Sequence, residues 1–228
     1  FQWKHLRIHR DKLVMILKVG LPSAVQMVIV NISYLLITGM LNRFGVSVAA
    51  ASGIGLKVNT FAGMPCWAIG QAVTAMAGQN MGAGNLRRVK ETVKTGLRLN
   101  ILVTLAAVLF VQIFAGPIIA LFEPGSPEVL ADGILYLRVC CGINSLVYAV
   151  MYTLDSFAIG IGSANIAMVN ALLDAAIVRL PLGFLLAFVA DIGFAGIYIG
   201  QAVSPVLPAI VGLLYFKSGI WERKSLIH

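Results

Sequence analysis

Charge is what this chain has least of. Asp, Glu, Lys and Arg together make up 11% of its 228 residues, less than half the share usual in a soluble domain. Acids are scarcer still, nine against 17 Lys and Arg. All three histidines, His5, His9 and His228, lie in the tails, which excludes a histidine-based metal or acid–base centre in the body of the chain. Three cysteines, Cys66, Cys140 and Cys141, are odd in number, sit inside apolar runs and fit no metal spacing. Adjacent Cys140 and Cys141 are poorly placed to bridge each other, so all three read as small apolar packers. There is no P-loop, no HExxH zinc motif and no Gly-x-Ser-x-Gly elbow. A membrane enzyme would have little to work with, and no cofactor is implied. No cleavable signal peptide is visible. The chain opens on Phe1 and a basic stretch, so the expectation is a piece of a longer or trimmed chain.

What the chain has in excess is apolar sequence, 59% of residues. That length and composition correspond to about six membrane spans of ~20 apolar residues each. The net charge of +8 raises nucleic acid as a partner, but the cations fall in a few clusters separated by uncharged runs, which argues against it. The expected fold is all-α and polytopic: spans over about 19–41, 46–81, 95–122, 133–159, 166–190 and 194–216. A basic amphipathic stretch, 1–18, lies on the headgroups with Trp3 as anchor, or else is a disordered tail. A basic tail, 217–228, closes the chain. The second span is too long for one bilayer crossing, so it is expected to tilt, to protrude or to bend at Pro65.

The stretch from Gly70 to Gly96 organises the rest. Gly82-Ala83-Gly84-Asn85 breaks a long apolar helix, with Asn85 placed to cap the next, and Arg87, Arg88, Lys90 and Lys94 follow. Alternating six spans puts these cations, Lys4 to Lys18, Arg98, Lys217, Arg223 and Lys224 on one side, against Arg43 alone on the other. Short cytoplasmic loops concentrate Lys and Arg, so both ends are expected in the cytoplasm.

With that topology, the sequence resembles one half, the C-terminal six-helix half, of a multidrug and toxic compound extrusion (MATE) transporter. The stretches that carry the likeness are Gly20-Leu21-Pro22, Met64-Pro65, Ile69-Gly70-Gln71-Ala72, Gly78-Gln79-Asn80-Met81-Gly82-Ala83-Gly84-Asn85 with Arg87-Arg88, and Val178-Arg179-Leu180-Pro181-Leu182. The resemblance implies a multi-pass protein of the inner cell membrane. It implies one lobe of an antiporter that exports cationic or amphipathic xenobiotics by alternating access in exchange for H⁺ or Na⁺. The missing N-terminal lobe, or a second copy of this chain, would form the other wall of the path. Rival readings are a lipid-linked oligosaccharide flippase of the same superfamily and a non-transporting membrane subunit.

Ionisable groups inside hydrocarbon are costly, so each needs a partner or a wet site. Asn144, Tyr148, Tyr152 and Asp155 fall at i, i+4, i+8 and i+11 on one face of the fourth span. Their oxygens suit a Na⁺ site, or a carboxyl that trades protons; the alternative is that Asp155 is a solvated helix-end residue. The resemblance points the same way, since acids in the first and fourth helices of this lobe serve cation coupling in some members. Here the fourth span supplies Asp155, while the first offers only Gln26, Asn31 and Tyr34. Asp174 and Arg179, five apart on the fifth span, read as an intramembrane ion pair or as a relay. Gln71, Asn31, Tyr34 and Asn144 complete the candidate ion and substrate path. Lys57 reads as snorkelling to the interface or as a gate.

Overall fold

A computed structural model describes residues 10–142 and 144–223. Helices account for nearly all of them, and no strand occurs among the described residues. The helices are α1 (Arg10–Leu41), α2 (Val46–Gly82), α3 (Leu86–Phe122), α4 (Pro127–Cys140), α5 (Asn144–Gly160), α6 (Ala164–Leu172), α7 (Leu180–Phe184), α8 (Phe194–Val203) and α9 (Val206–Ser218). Residues 1–9 of the expected interfacial stretch and 224–228 of the tail lie outside the described residues. Arg10–Lys18 run straight into α1.

Four helical stretches are long and apolar enough to cross a membrane: Arg10–Phe44, Leu86–Phe122, Ala164–Val189 and Phe194–Ser218. The pair α4 and α5, bent by 50°, makes a fifth. The 37 residues of α2 carry Lys57, Asn59, Gln71 and Gln79 and fall short on hydropathy. The helix packs along α3, α4 and α5 inside the bundle.

Local chemistry explains the joints. Gly84 takes φ +70, open to a residue without Cβ, and Asn85 accepts a hydrogen bond from the Arg88 amide at 3.1 Å, capping α3. Ser126 accepts from the Val129 amide and Pro127 opens α4. Phe114 leaves helical geometry three residues before Pro117, the kink expected where proline removes a helix hydrogen bond.

Two expected single spans are broken. The fourth, 133–159, divides at Cys141-Gly142, where Gln112 of α3 donates to the carbonyls of Leu137 and Cys141, both at 3.0 Å. The Leu137 carbonyl also keeps its helical bond from the Cys141 amide, while the Cys141 carbonyl receives from Gln112 the hydrogen bond that a continuing helix would have supplied. The last, 194–216, divides at Ser204-Pro205. The fifth is continuous but changes pitch, with π-helical turns at Leu173–Arg179 and Leu185–Val189.

Two apolar cores lie along the bundle. One gathers Ile37, Leu41, Ile119, Tyr136, Leu137 and Tyr198; the other gathers Val73, Val89, Val93, Phe157 and Trp221 around the basic α2–α3 turn. Backbones meet closely where glycines allow it. A Cβ on Gly160 would run into the Thr74 backbone, and one on Gly70 into Tyr152 and Ser156. Such small-residue contacts drive helix association in lipid, where the hydrophobic effect between helices is absent. The outward faces of α1 and α3 are rich in exposed Leu, Ile, Val and Phe, as a lipid-facing exterior requires.

Candidate functional site

A polar cluster, buried at the meeting of α1, α5, α6 and α8, holds both intramembrane acids. Asp155 of α5 is 4% exposed and accepts a hydrogen bond from Asn170 Nδ2 of α6 at 2.6 Å. It is therefore a buried carboxyl rather than a solvated helix end. Asp174 and Arg179 are each 3% exposed and form an ion pair at 2.5 Å. Five residues apart, they would sit off one another's face on an α-helix. The π turn Leu173–Arg179 repeats its hydrogen bonds at i+5 and brings them together.

The guanidinium then ties two other elements to the pair, α1 and the α8–α9 junction. Its Nε donates to Ser204 Oγ at 3.3 Å and its Nη1 to Ser33 Oγ at 3.5 Å, and it lies 4.8 Å from the ring centroid of Tyr34. Asn170 and Asp174, four residues apart, stack on one face of the helix. Asn170 Oδ1 and Asp174 Oδ1 are buried acceptors without a donor among the described residues. Asp155 and Asp174 lie within electrostatic reach of each other. The cluster thus holds two carboxylates, one guanidinium and two unsatisfied oxygens. Chemically, that is a place for one more proton or one small hard cation. No group of three or more His, Cys, Asp and Glu converges among the described residues, and this cluster brings together two such side chains, Asp155 and Asp174.

The four residues of the fourth span do not share one site. Asn144 Nδ2 donates back to the Cys140 carbonyl at 3.0 Å and is used at the α4–α5 break. Tyr148 and Tyr152 stack at 5.9 Å and face α2, where Trp67 Nε1 donates to Tyr148 Oη at 3.2 Å and Gln71 lies near Tyr152. Only Asp155 turns to α6. Asn31 is exposed and donates to the Met27 carbonyl of its own helix. Half-buried Tyr34 links the two regions, within reach of Arg179 and Tyr148. Exposed Gln71 and Trp67, with the two tyrosines, form a wall of aromatic and amide groups beside the acidic cluster. Lys57 is also exposed.

Asn170, Ser33 and Ser204 are members of the cluster that sequence reasoning did not assign. Asn170 had a signal, its four-residue spacing from Asp174. The two serines had none, because a small hydroxyl in an apolar helix looks like a packing residue.

The chain spans about half the length of the relatives it matches. It is 25% identical over 212 residues to the probable multidrug resistance protein NorM of Thermotoga maritima, covering 93% of this chain and 45% of that one. It is 27% identical to the probable multidrug resistance protein YpnP of Bacillus subtilis, covering 93% and 47%. Among solved structures, a MOP superfamily transporter from Pyrococcus furiosus superposes with a TM-score of 0.90 at 18% identity, covering 98% of this chain and 50% of the other. The bent form of the Vibrio cholerae MATE transporter VcmN gives 0.85 at 22%, covering 97% and 49%. The MatE family model matches residues 22–185; with the helical membrane fold described above, the chain belongs to the MatE family.

Proposed function

We propose that this chain is one lobe, the C-terminal one, of a secondary active exporter of cationic or amphipathic small molecules in the inner cell membrane. The lobe moves by alternating access against an N-terminal lobe or a second copy of itself, with H⁺ or Na⁺ as the coupling ion and no organic cofactor. The observation that carries the reading is the charge count of the buried cluster, two carboxylates against one guanidinium.

With both acids ionised the cluster carries one uncompensated negative charge in a low-dielectric interior. Binding one monovalent cation cancels it. Asp155, held among the described residues by the Asn170 amide, is the carboxyl that takes the ion. Asn170 Oδ1 and Asp174 Oδ1 are the oxygens that help hold it. Asp174 with Arg179 positions α6 against α1 and α8. An ion that prefers one arrangement of these helices biases the lobe by its difference in affinity between the two. The Trp67, Gln71, Tyr148 and Tyr152 wall is the substrate face, where aromatic π-faces suit cationic or flat apolar compounds.

The test is Asp155→Asn in the full-length transporter, reconstituted in vesicles with an imposed H⁺ or Na⁺ gradient. Gradient-driven efflux is expected to vanish while membrane insertion and thermal unfolding stay at wild-type levels. Undiminished coupled efflux would remove Asp155 from the mechanism.

A further inference from the structure

Away from the acidic cluster, α3, α5 and α9 leave an open groove of about 330 Å³. Val206, Ile210 and Leu213 of α9, Val147 and Val150 of α5 and Ile101 of α3 form its walls, and every lining side chain is aliphatic. Such a slot in a membrane protein takes hydrocarbon. What distinguishes this one is how its stripes end.

On α9, Lys217 follows Leu213 by four residues. On α3, Arg98 precedes Ile101 by three, and Lys94 precedes Arg98 by four. These spacings keep each cation on the face of its helix that lines the groove, one turn past the last aliphatic residue. All three cations are exposed. They lie at the same end of the bundle: Lys90, in the first turns of α3, meets Glu222 at 2.8 Å and approaches the Trp221 ring at 6.0 Å, immediately beyond α9. Neither Arg98 nor Lys217 belongs to an ion pair among the described residues. An aliphatic slot running into cations at one end of the bundle complements an amphiphile with an oily tail and an anionic head.

We propose that the α3–α5–α9 groove is a binding site for an anionic phospholipid, with one acyl chain in the slot and the phosphate between Arg98 and Lys217. The chain supplies hydrophobic contact that any phospholipid shares. The two cations supply the preference for a net negative headgroup. Lys and Arg near a membrane surface each strengthen attraction to anionic lipid by about fivefold. Removing both would weaken binding by roughly 25-fold if they act independently.

The 228-residue chain, purified in uncharged detergent, is titrated with phosphatidylglycerol or with phosphatidylcholine of the same acyl composition, and bound lipid is read by native mass spectrometry. Phosphatidylglycerol is expected to bind at least tenfold more tightly. Arg98→Gln with Lys217→Gln should erase that preference and leave phosphatidylcholine binding and thermal unfolding unchanged. Ile210→Trp, at a half-exposed position in the groove wall, should weaken both lipids. Equal affinity for the two lipids would overturn the proposal. So would an undiminished preference in the double glutamine variant, or displacement of the lipid by glycerol phosphate at equal concentration, which would show a headgroup site without a chain slot.

Discussion

Arg179→Leu isolates the Asp174 carboxyl. That carboxyl is 3% exposed and its other oxygen has no donor among the described residues, so losing the guanidinium leaves it buried without a counter-charge. Removing one member of a buried ion pair costs about 3–5 kcal/mol, because the remaining charge is left uncompensated. For a chain of this size, each kcal/mol shifts the unfolding midpoint by about 2–4 °C. The expected loss is therefore roughly 6–20 °C in detergent. The double variant Arg179→Leu with Asp174→Leu removes both charges. What remains lost is the pair of hydroxyl contacts to Ser33 and Ser204, at 3.5 and 3.3 Å, each worth about 0.6 kcal/mol inside a membrane protein. The double variant should thus unfold within a few degrees of the parent. Thermal unfolding followed by fluorescence and by monodisperse elution gives both numbers. If the single variant loses nothing, or the double loses as much as the single, the pair is not the buried, mutually compensated unit described here.

Gly160→Ala forces a Cβ against the Thr74 backbone, which cannot swing away as a side chain can; a loss of about 1–3 kcal/mol is expected from overpacking, read by the same unfolding assay. Gly82→Ala, with nothing within 4 Å of the added carbon, is the control and should be neutral or stabilising. Trp221→Ala empties a fully buried site stacked on Phe216 and edge-on to Phe157; the cost should be about 3–5 kcal/mol. Glu222→Gln breaks a half-exposed contact to Lys90 and should cost under about 1 kcal/mol. Tyr148→Ala with Tyr152→Ala is expected to weaken substrate binding in the full-length transporter more than it lowers the unfolding temperature, measured by dye binding against the unfolding midpoint.

Much of the architecture was legible because lipid enforces it. Apolar runs of bilayer length and cations gathered in a few turns identify spans without any tertiary knowledge, and the α2–α3 turn follows from Gly84 and Asn85 alone. What stayed hidden depends on contacts between helices. At the α4–α5 break the Cys141 carbonyl is satisfied by Gln112, 29 residues away, and no local pattern announces it beyond Gly142. The site was half legible. Asp155, Asp174 and Arg179 stand out as costly charges in apolar sequence. Their grouping does not, because helical spacing alone assigned Tyr148, Tyr152 and Asp155 to one face. In the folded lobe that face is shared between two neighbours, α2 for the tyrosines and α6 for the acid.

The π turn at Leu173–Arg179 has a mechanical meaning. A widened turn stores one residue beyond the ordinary count. Let it tighten to α pitch and every side chain from Arg179 onward rotates by roughly a quarter turn about the helix axis. Arg179 would swing off Asp174 and away from Ser33 and Ser204 together, so helix winding and ion pairing form a single ratchet tooth that engages or releases as one.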